Sequence, residues 1–575
     1  MERRVFIAIL LSFAVLYGYQ ALFVPPQKPA IDVVEKKERA PAPTPEMAQP
    51  VVPEPPREPE PTAQITEPSE REIVVETATS QVVLSSRGGR ILHWRLKDYR
   101  DSAGGLVDLV PTGVPPDQPK PFSLVVDDPE LTRRLNSVLF RVSGAAGGRA
   151  DASKQAAALS FEYQDAAGLR VQKDFRFEPQ NYVVTFSARV MSGDRALNPT
   201  IAWGPGLSDA GATAGGGSFF TGNYVQPPQA IYHKDGDVER VAAASIPEQP
   251  GYEGPFRFAG IDDHYFLAAA VDPGNARVEF KPLILPGPDN TERHLLAASF
   301  RFPQPPQGIR FFVGPKQFDV LRSVDPELVR AIWFGVFGFL AVPLLTALKW
   351  AYGFIGNYGW AIIFLTIVIN LVIFPLRHKS LVSMRKMQVL QPQLKAIQER
   401  YAGLKMTDPG RQKMQTEIMG LYKEKGVNPA SGCVPMLLTL PVLFAFYSLL
   451  SQAIELRGAG FGGWITDLSE HDPLYITPVL MGLTMFWQQK VTPSTADPAQ
   501  QRIMMMMPLM FGFMFLWAPS GLVLYWFVGN LFAIGQQYFT NWWIGPPAVA
   551  AVRPPAERRL KSAGAGRTAD AENKN

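Results

Sequence analysis

The stretch "FLTIVINLVIFPLRHK", residues 364–379, decides how the chain is organised. It lies in an apolar run over 359–376, about the length a helix needs to cross the hydrocarbon of a bilayer. Arg377, His378 and Lys379 end the run, and Asn370 stands inside it. A spanning helix satisfies its own backbone, but a side-chain amide at that depth must face a neighbouring helix or a wetted cavity. Either reading makes this helix one wall of a helical membrane domain.

The chain starts with Arg3 and Arg4, then an apolar run from Val5 to Val24 without a small-x-small cleavage site, so residues 1–24 read as an uncleaved transmembrane anchor with a cytoplasmic N-terminus. Residues 25–69 are rich in Pro, Glu, Lys and Ala, which predicts a stiff, extended linker. Over 70–325 the period changes to two. In "NYVVTFSARV", Tyr182, Val184, Phe186, Ala188 and Val190 alternate with Val183, Thr185, Ser187 and Arg189, and turn residues separate such runs. This predicts a large extracytoplasmic antiparallel β-sandwich.

Downstream, 377–428 carries Arg377, Lys379, Arg385, Lys386, Lys395, Arg400, Lys405, Arg411, Lys413, Lys423 and Lys425 against few acids, and the positive-inside rule places it in the cytoplasm. Two apolar runs, 331–348 and 359–376, precede it, yet a chain coming from outside crosses an odd number of times. The first contains Pro343, Gly335 and Gly338 and is expected to lie flat, as an interfacial amphipathic helix over 326–352. Transmembrane helices follow at 353–378, 429–454, 473–491, 503–519 and 520–541, with a basic cytoplasmic tail at 542–575. Within 379–428, Met387, Leu390 and Leu394 and then Met414 and Ile418 recur at helical spacing on either side of Asp408 and Pro409, which predicts a cytoplasmic helical hairpin. Its charges either obey topology alone or meet the ribosome or lipid head groups.

Several function classes are excluded. A net charge of +4 over 575 residues gives no footing for a specific nucleic-acid partner. The single cysteine, Cys433, rules out an intrachain disulfide and a Cys-based zinc site, and no phosphate-binding glycine loop occurs. His93, His233, His264 and His294 are scattered; the cluster "DDHY" at Asp262–Tyr265 reads as a satisfied structural histidine, so no catalytic residue, cofactor or metal is expected. The spans offer neutral polar groups, Thr366, Asn370, Thr439, Thr484 and Asn530, each of which fits helix packing or a wetted cavity. Met504–Met507 fit lipid-facing packing or a soft surface for varied clients. A multispan carrier with an outer sensor domain and a sugar-active sandwich remain alternatives.

The stretches "GNYGWAIIFLTIVINLVIFPL" (356–376), "LYKEKGVNPASGCVPMLLTLPVLFAFY" (421–447), "DPLYITPVLMGLTMFWQQKVTP" (472–493) and "FLWAPSGLVLYWFVGNLFAIGQQY" (515–538) resemble the membrane segments of the YidC membrane protein insertases. The order of anchor, linker, sandwich and helices is similar to the Gram-negative six-span form. The resemblance implies a multi-domain membrane protein of the bacterial inner membrane: a five-span α-helical insertase core, an anchor helix and a periplasmic sandwich, with both termini cytoplasmic. It implies a non-enzymatic insertase and folding chaperone acting on nascent membrane proteins in the phospholipid bilayer, alone or with the Sec translocon and the ribosome. A substrate's polar segment would enter a groove open to the cytoplasm and to lipid. Thr366 and Trp526 fall at the family's groove positions, with Tyr525 beside them. Thr439 stands where many relatives have glutamine, and Asn370 where the family has an arginine. That departure implies a groove without the family's fixed positive charge.

Overall fold

A computed structural model describes residues 62–545, apart from 102, 116–117, 208–225, 287–291, 402–408, 428–433 and 493–497. The expected anchor, the linker as far as residue 61, the tail beyond 545 and Cys433 lie outside the described residues.

Alternating burial forms the β-sandwich. In the strand Leu169–Phe177, Leu169, Val171, Phe175 and Phe177 face inward, and the flanking strands Ala157–Asp165 and Val183–Ser192 pair with it antiparallel. A 14-stranded sheet and a 5-stranded sheet result. Within the second, Glu72–Thr77 pairs in parallel with Arg149–Ala152, an exception to the antiparallel rule. Trp94 meets Phe177 across the two sheets, with ring centroids 6.1 Å apart. Phe122 stands among Phe175, Phe186, Trp203 and Phe311 at 4.9–5.7 Å, where each ring pair adds roughly 0.5–1.5 kcal/mol beyond simple burial. The domain begins before the expected boundary at 69. Ala63–Ile65 already pairs with the strand Ala157–Asp165, and Thr66 Oγ1 donates to Leu139 O at 2.7 Å. A few residues of linker are enough to complete the sheet edge.

One inward position of the strand Leu169–Phe177 holds a lysine. Lys173 is fully buried, and its Nζ donates to Gly88 O at 2.6 Å, Gly89 O at 3.2 Å and Phe122 O at 2.9 Å. Gly88 and Gly89 adopt left-handed φ of 72° and 53°, and a Cβ on Gly88 would lie 2.7 Å from Asn136 O, so glycine is required there. Burial pushes the Lys173 ammonium down, to about 7, while the three carbonyls favour its charged form.

Among the described residues the helices are α1 (Pro129–Ser137), α2 (Phe318–Val324), α3 (Gly338–Ile355), α4 (Tyr358–Arg400), α5 (Pro409–Glu424), α6 (Val434–Gln452), α7 (Ile476–Val491), α8 (Pro498–Met514) and α9 (Ser520–Ile544). The stretch expected as one flat helix over 326–352 is instead two short 3-10 turns, Pro326–Ala331 and Gly335–Phe337, followed by α3. Gly335, at φ 65°, precedes the helix, and left-handed Gly356 ends it. Ala341, Leu345, Leu348 and Ala351, spaced three and four apart, are the buried face of α3; Phe339, Trp350 and Phe354 are exposed. By length and composition Gly335–Ile355 and Tyr358–Arg400 are both long and apolar enough to span a membrane.

The division expected between a span ending at 378 and a hairpin starting at 379 is absent, because α4 runs unbroken for 43 residues. Pro375 and Pro392 each remove one backbone donor. Neighbouring side chains hold the helix beside the first of them: Gln536 Nε2 donates to Phe374 O at 3.1 Å. Arg385 donates to Gly545 O at 2.8 Å and to Asn541 Oδ1. The far end of α4 then packs on α5. Met387, Leu390, Leu394, Ile397 and Ile418 are buried together, with Met414, Tyr401 and Leu421 against them.

Two outcomes are expected. Lys173→Met leaves three inward carbonyls without a donor and lowers sandwich stability by about 2–4 kcal/mol in denaturant unfolding. The folded state releases this proton near pH 7, whereas the unfolded chain keeps it to about 10.5. The unfolded state therefore binds more protons in that window, and the stability gap between wild type and variant widens as pH rises through it. In the hairpin, Leu394→Asp buries a charge in a small apolar cluster and opens 387–427 to limited proteolysis, whereas an insertion at Pro409–Gly410 leaves the digestion pattern unchanged.

Candidate functional site

Helices α4, α6, α7, α8 and α9 surround a cavity of about 280 Å3. Its polar lining is Asn370 and Arg377 of α4, Thr439 of α6, Gln488 and Gln489 of α7, and Asn530 of α9. Tyr525 and Trp526 of α9 supply aromatic surface.

A polar ladder descends α4. Thr366 Oγ1 donates to Ile362 O at 2.6 Å, Asn370 Nδ2 donates to Thr366 O at 2.8 Å, and Arg377 Nη1 donates to Asn370 Oδ1 at 3.0 Å. Steps of four and then seven residues keep these groups on one helix face, and 3.6 residues per turn brings the seventh residue back over the first. Thr366 is fully buried and lies outside the cavity lining, so it supports Asn370 from the turn above. Across the cavity, Asn530 Nδ2 lies 3.4 Å from Thr484 Oγ1.

Arg377 corrects the expectation of a groove without fixed charge. By sequence it falls in the basic segment after Pro375 and counts toward topology. In the structure its side chain, from two turns along α4, turns back and puts the guanidinium in the cavity against Asn370. A charge there is tolerable because it is hydrogen-bonded and shares a cavity with other polar groups. The seven-residue spacing from Asn370 was the available signal. Gln488 and Gln489 were equally legible as amides at the end of an apolar run, one turn beyond Thr484.

The cavity is apolar toward the sandwich and polar toward the hairpin. On the sandwich side Phe446, Leu449, Leu450, Leu522 and Val523 are buried, and Tyr525 stacks on Phe446 with centroids 4.3 Å apart at 12°. Trp526 packs against Phe515 at 4.9 Å and Phe511 at 5.9 Å. On the outer surface of α7 and α8, Leu483, Phe486, Trp487, Met506, Leu509, Met510 and Phe513 are exposed apolar groups. Met505, Met506 and Met507 are all exposed, and Met507 also borders the cavity.

The scattered histidines do not assemble. His93 Nδ1 contacts Asp108 Oδ2 at 2.6 Å, His233 contacts Arg330 at 3.2 Å, and no group of three or more metal-ligating side chains occurs among the described residues.

Residues 72–347 match the family described as "YidC periplasmic domain", and residues 350–545 match "60Kd inner membrane protein". Proteins named "Membrane protein insertase YidC" are similar over nearly the whole chain. The Geobacter metallireducens protein is 34% identical, covering 94% of this chain and 98% of its own. That of Geobacter sulfurreducens is 37% identical with the same coverage, and that of Geotalea uraniireducens 36% identical, covering 94% of this chain and 99% of its own. With both halves matched in order and identity above 30% over full-length relatives, the chain belongs to the YidC family of membrane protein insertases, inner-membrane proteins that are not enzymes.

Proposed function

We propose that the cavity between α4, α6, α7, α8 and α9 is the groove that receives the short polar segment of a nascent membrane protein while its apolar helix moves along α7 and α8 into lipid. The observation that carries this reading is the Asn370–Arg377 hydrogen bond inside that cavity. Burying a guanidinium among apolar helices costs several kcal/mol unless it is paired, and a packed interface gains nothing from it. A groove that admits a hydrated, often acidic segment does gain. Tyr525, Trp526 and Thr439 face the same space, and Thr366 holds Asn370 in place.

The hairpin side is assigned to the cytoplasm and the sandwich side to the periplasm, with both termini cytoplasmic. Support comes from the basic residues of α4 and α5 and from the fastening of α3. Arg240 donates to Arg330 O and Ala331 O, just before α3, and Lys349, near its end, contacts Asp319 and Glu455. Asn357, at the start of α4, donates to Gly460 O in the same outer region. Both ends of α3 are thus tied to groups on the sandwich side, which fits an interfacial helix and not a crossing one. The hairpin, with Met387, Leu390, Leu394, Met414 and Ile418 inside and lysines outside, is the surface offered to the ribosome. Action with the Sec translocon and chaperoning of inserted helices belong to the same proposal.

Hydrogen bonds to a charged group contribute roughly 1.5–3 kcal/mol, so Arg377→Leu is expected to slow insertion of a single-span substrate with an acidic leading segment by about ten-fold or more. Arg377→Lys keeps most of the rate, and Asn370→Leu, which removes the acceptor and dries the cavity, falls between. Reconstituted insertion measured by protease protection reads this, and wild-type rates in all three variants would place the groove elsewhere.

A further inference from the structure

Two loops of the sandwich meet over the buried Lys173 and bring further cations with them. Lys173 Nζ holds Gly89 O and Phe122 O, which lie one residue before Arg90 and two residues after Lys120. Ile91 N donates to Pro121 O at 3.1 Å, which ties the same two segments together, and Ser123 N donates to Lys120 O at 3.0 Å in a tight turn. The backbones that carry Arg90 and Lys120 are thus fixed beside each other. Both residues are partly buried.

The acids around them are committed elsewhere. Glu70 accepts from Ser85 Oγ at 2.6 Å and from Arg87 Nε at 2.7 Å, and Arg87 Nη1 donates to Ser137 O at 3.0 Å. Asp108 Oδ1 accepts from Trp94 N at 2.9 Å and Val110 N at 3.1 Å, while its Oδ2 contacts His93 Nδ1 at 2.6 Å. Among the described residues nothing accepts a hydrogen bond from the Arg90 guanidinium or the Lys120 ammonium, and Arg90 Nε is buried without a partner. Burial pushes the Arg90 guanidinium down against the pull of Glu70; burial and then the Arg90 charge push the Lys120 ammonium down, and Arg90 acts in the same way on Lys173. Like charges gathered at the edge of an apolar core cost free energy unless a counter-charge is supplied. Here the fold supplies donors and leaves the acceptor out.

We propose that Arg90 and Lys120 form a binding site on the sandwich for a phosphate-class oxyanion. A guanidinium offers parallel N–H donors to a tetrahedral oxyanion and an ammonium adds a point charge. A dianion offsets both cations, where a carboxylate offsets one. Plain solvation fits an arginine in water, and not one whose Nε is shut off from it. Lys173 does not touch the ligand; it holds the two loops that carry the site and adds to their positive field. The same phosphate chemistry is offered by the free anion and by a lipid head group.

The test uses the full chain in maltoside micelles, which hold no phosphate, with hydrogen exchange over 84–92 and 119–125 read by mass spectrometry. Chloride is replaced by inorganic phosphate at constant ionic strength, or phosphatidylglycerol is added to the micelles. Opening of these segments releases the ligand, so about 10 mM phosphate and a Kd of about 1 mM slow exchange there by about ten-fold and leave 266–279 unchanged. Arg90→Gln and Lys120→Gln are each expected to lose the slowing. In chloride alone Lys120→Gln exchanges no faster than wild type, because it relieves repulsion and breaks no bond. Slowing by inorganic phosphate identifies the free anion as the source, and slowing by phosphatidylglycerol alone identifies a head group. No slowing by either would overturn the site, as would slowing that survives in both variants or appears equally at 266–279, the mark of an adventitious ion only. Lys120→Gln exchanging much faster in chloride would overturn it too, since Lys120 would then serve the fold.

Discussion

A guanidinium held among apolar helices must be paired, and much of the helical core can be derived from that requirement. Arg377 reaches Asn370 only because α4 continues as a helix through Pro375. It continues because Gln536 of α9 supports the backbone at Phe374, and Arg385 ties the next turns to Asn541 and Gly545. Asn370 in turn is held by Thr366, one turn above. Remove the Asn370 amide and the Arg377 charge loses its partner in a low-dielectric setting, where the penalty exceeds any single packing contact. The α4–α9 pairing is therefore polar beside the cavity and again toward the hairpin, where Gln536 and Arg385 make its contacts.

The sandwich solves the opposite problem. Its core is an apolar layer in which Lys173 is admitted because two successive left-handed glycines turn their carbonyls toward it. The lysine ties the strand Leu169–Phe177 to the loops at Gly88 and Phe122, and the close aromatic cluster around Phe122 is organised about that point. Buried charge thus serves different ends in the two halves: specifying a fold in one, lining a cavity in the other.

Much was legible in the sequence. Period-two alternation in "NYVVTFSARV" marks strands, and the three-and-four spacing from Met387 to Ile418 gives the apolar face of the hairpin, because both signals arise from burial on one side of a regular element. Asn370, Thr439, Tyr525 and Trp526 share one cavity, whereas Thr366 stands behind it. What escaped depends on long-range pairing. Arg377 was hidden by its place in a basic run, where charge reads as topology. His264 reads as an isolated structural histidine until Ser451, 187 residues away, is brought beside it. Boundaries failed at Pro375, since a proline's local tendency to break a helix was outweighed by tertiary contacts on both sides of it.

Helix α4 also has a mechanical meaning. Its 43 residues extend roughly 64 Å, of which about 30 Å matches the hydrocarbon thickness, leaving an arm of some 34 Å beyond the membrane. With Arg385 and α9 acting as the bearing, about 22 Å from the tip at Arg400, a tilt of only five degrees moves the far tip by about 2 Å, and a push on the tip returns as torque at the bearing. A heavy body resting on the hairpin would load the same rod that carries Asn370 and Arg377. The hairpin and the cavity are in this way two ends of one rod.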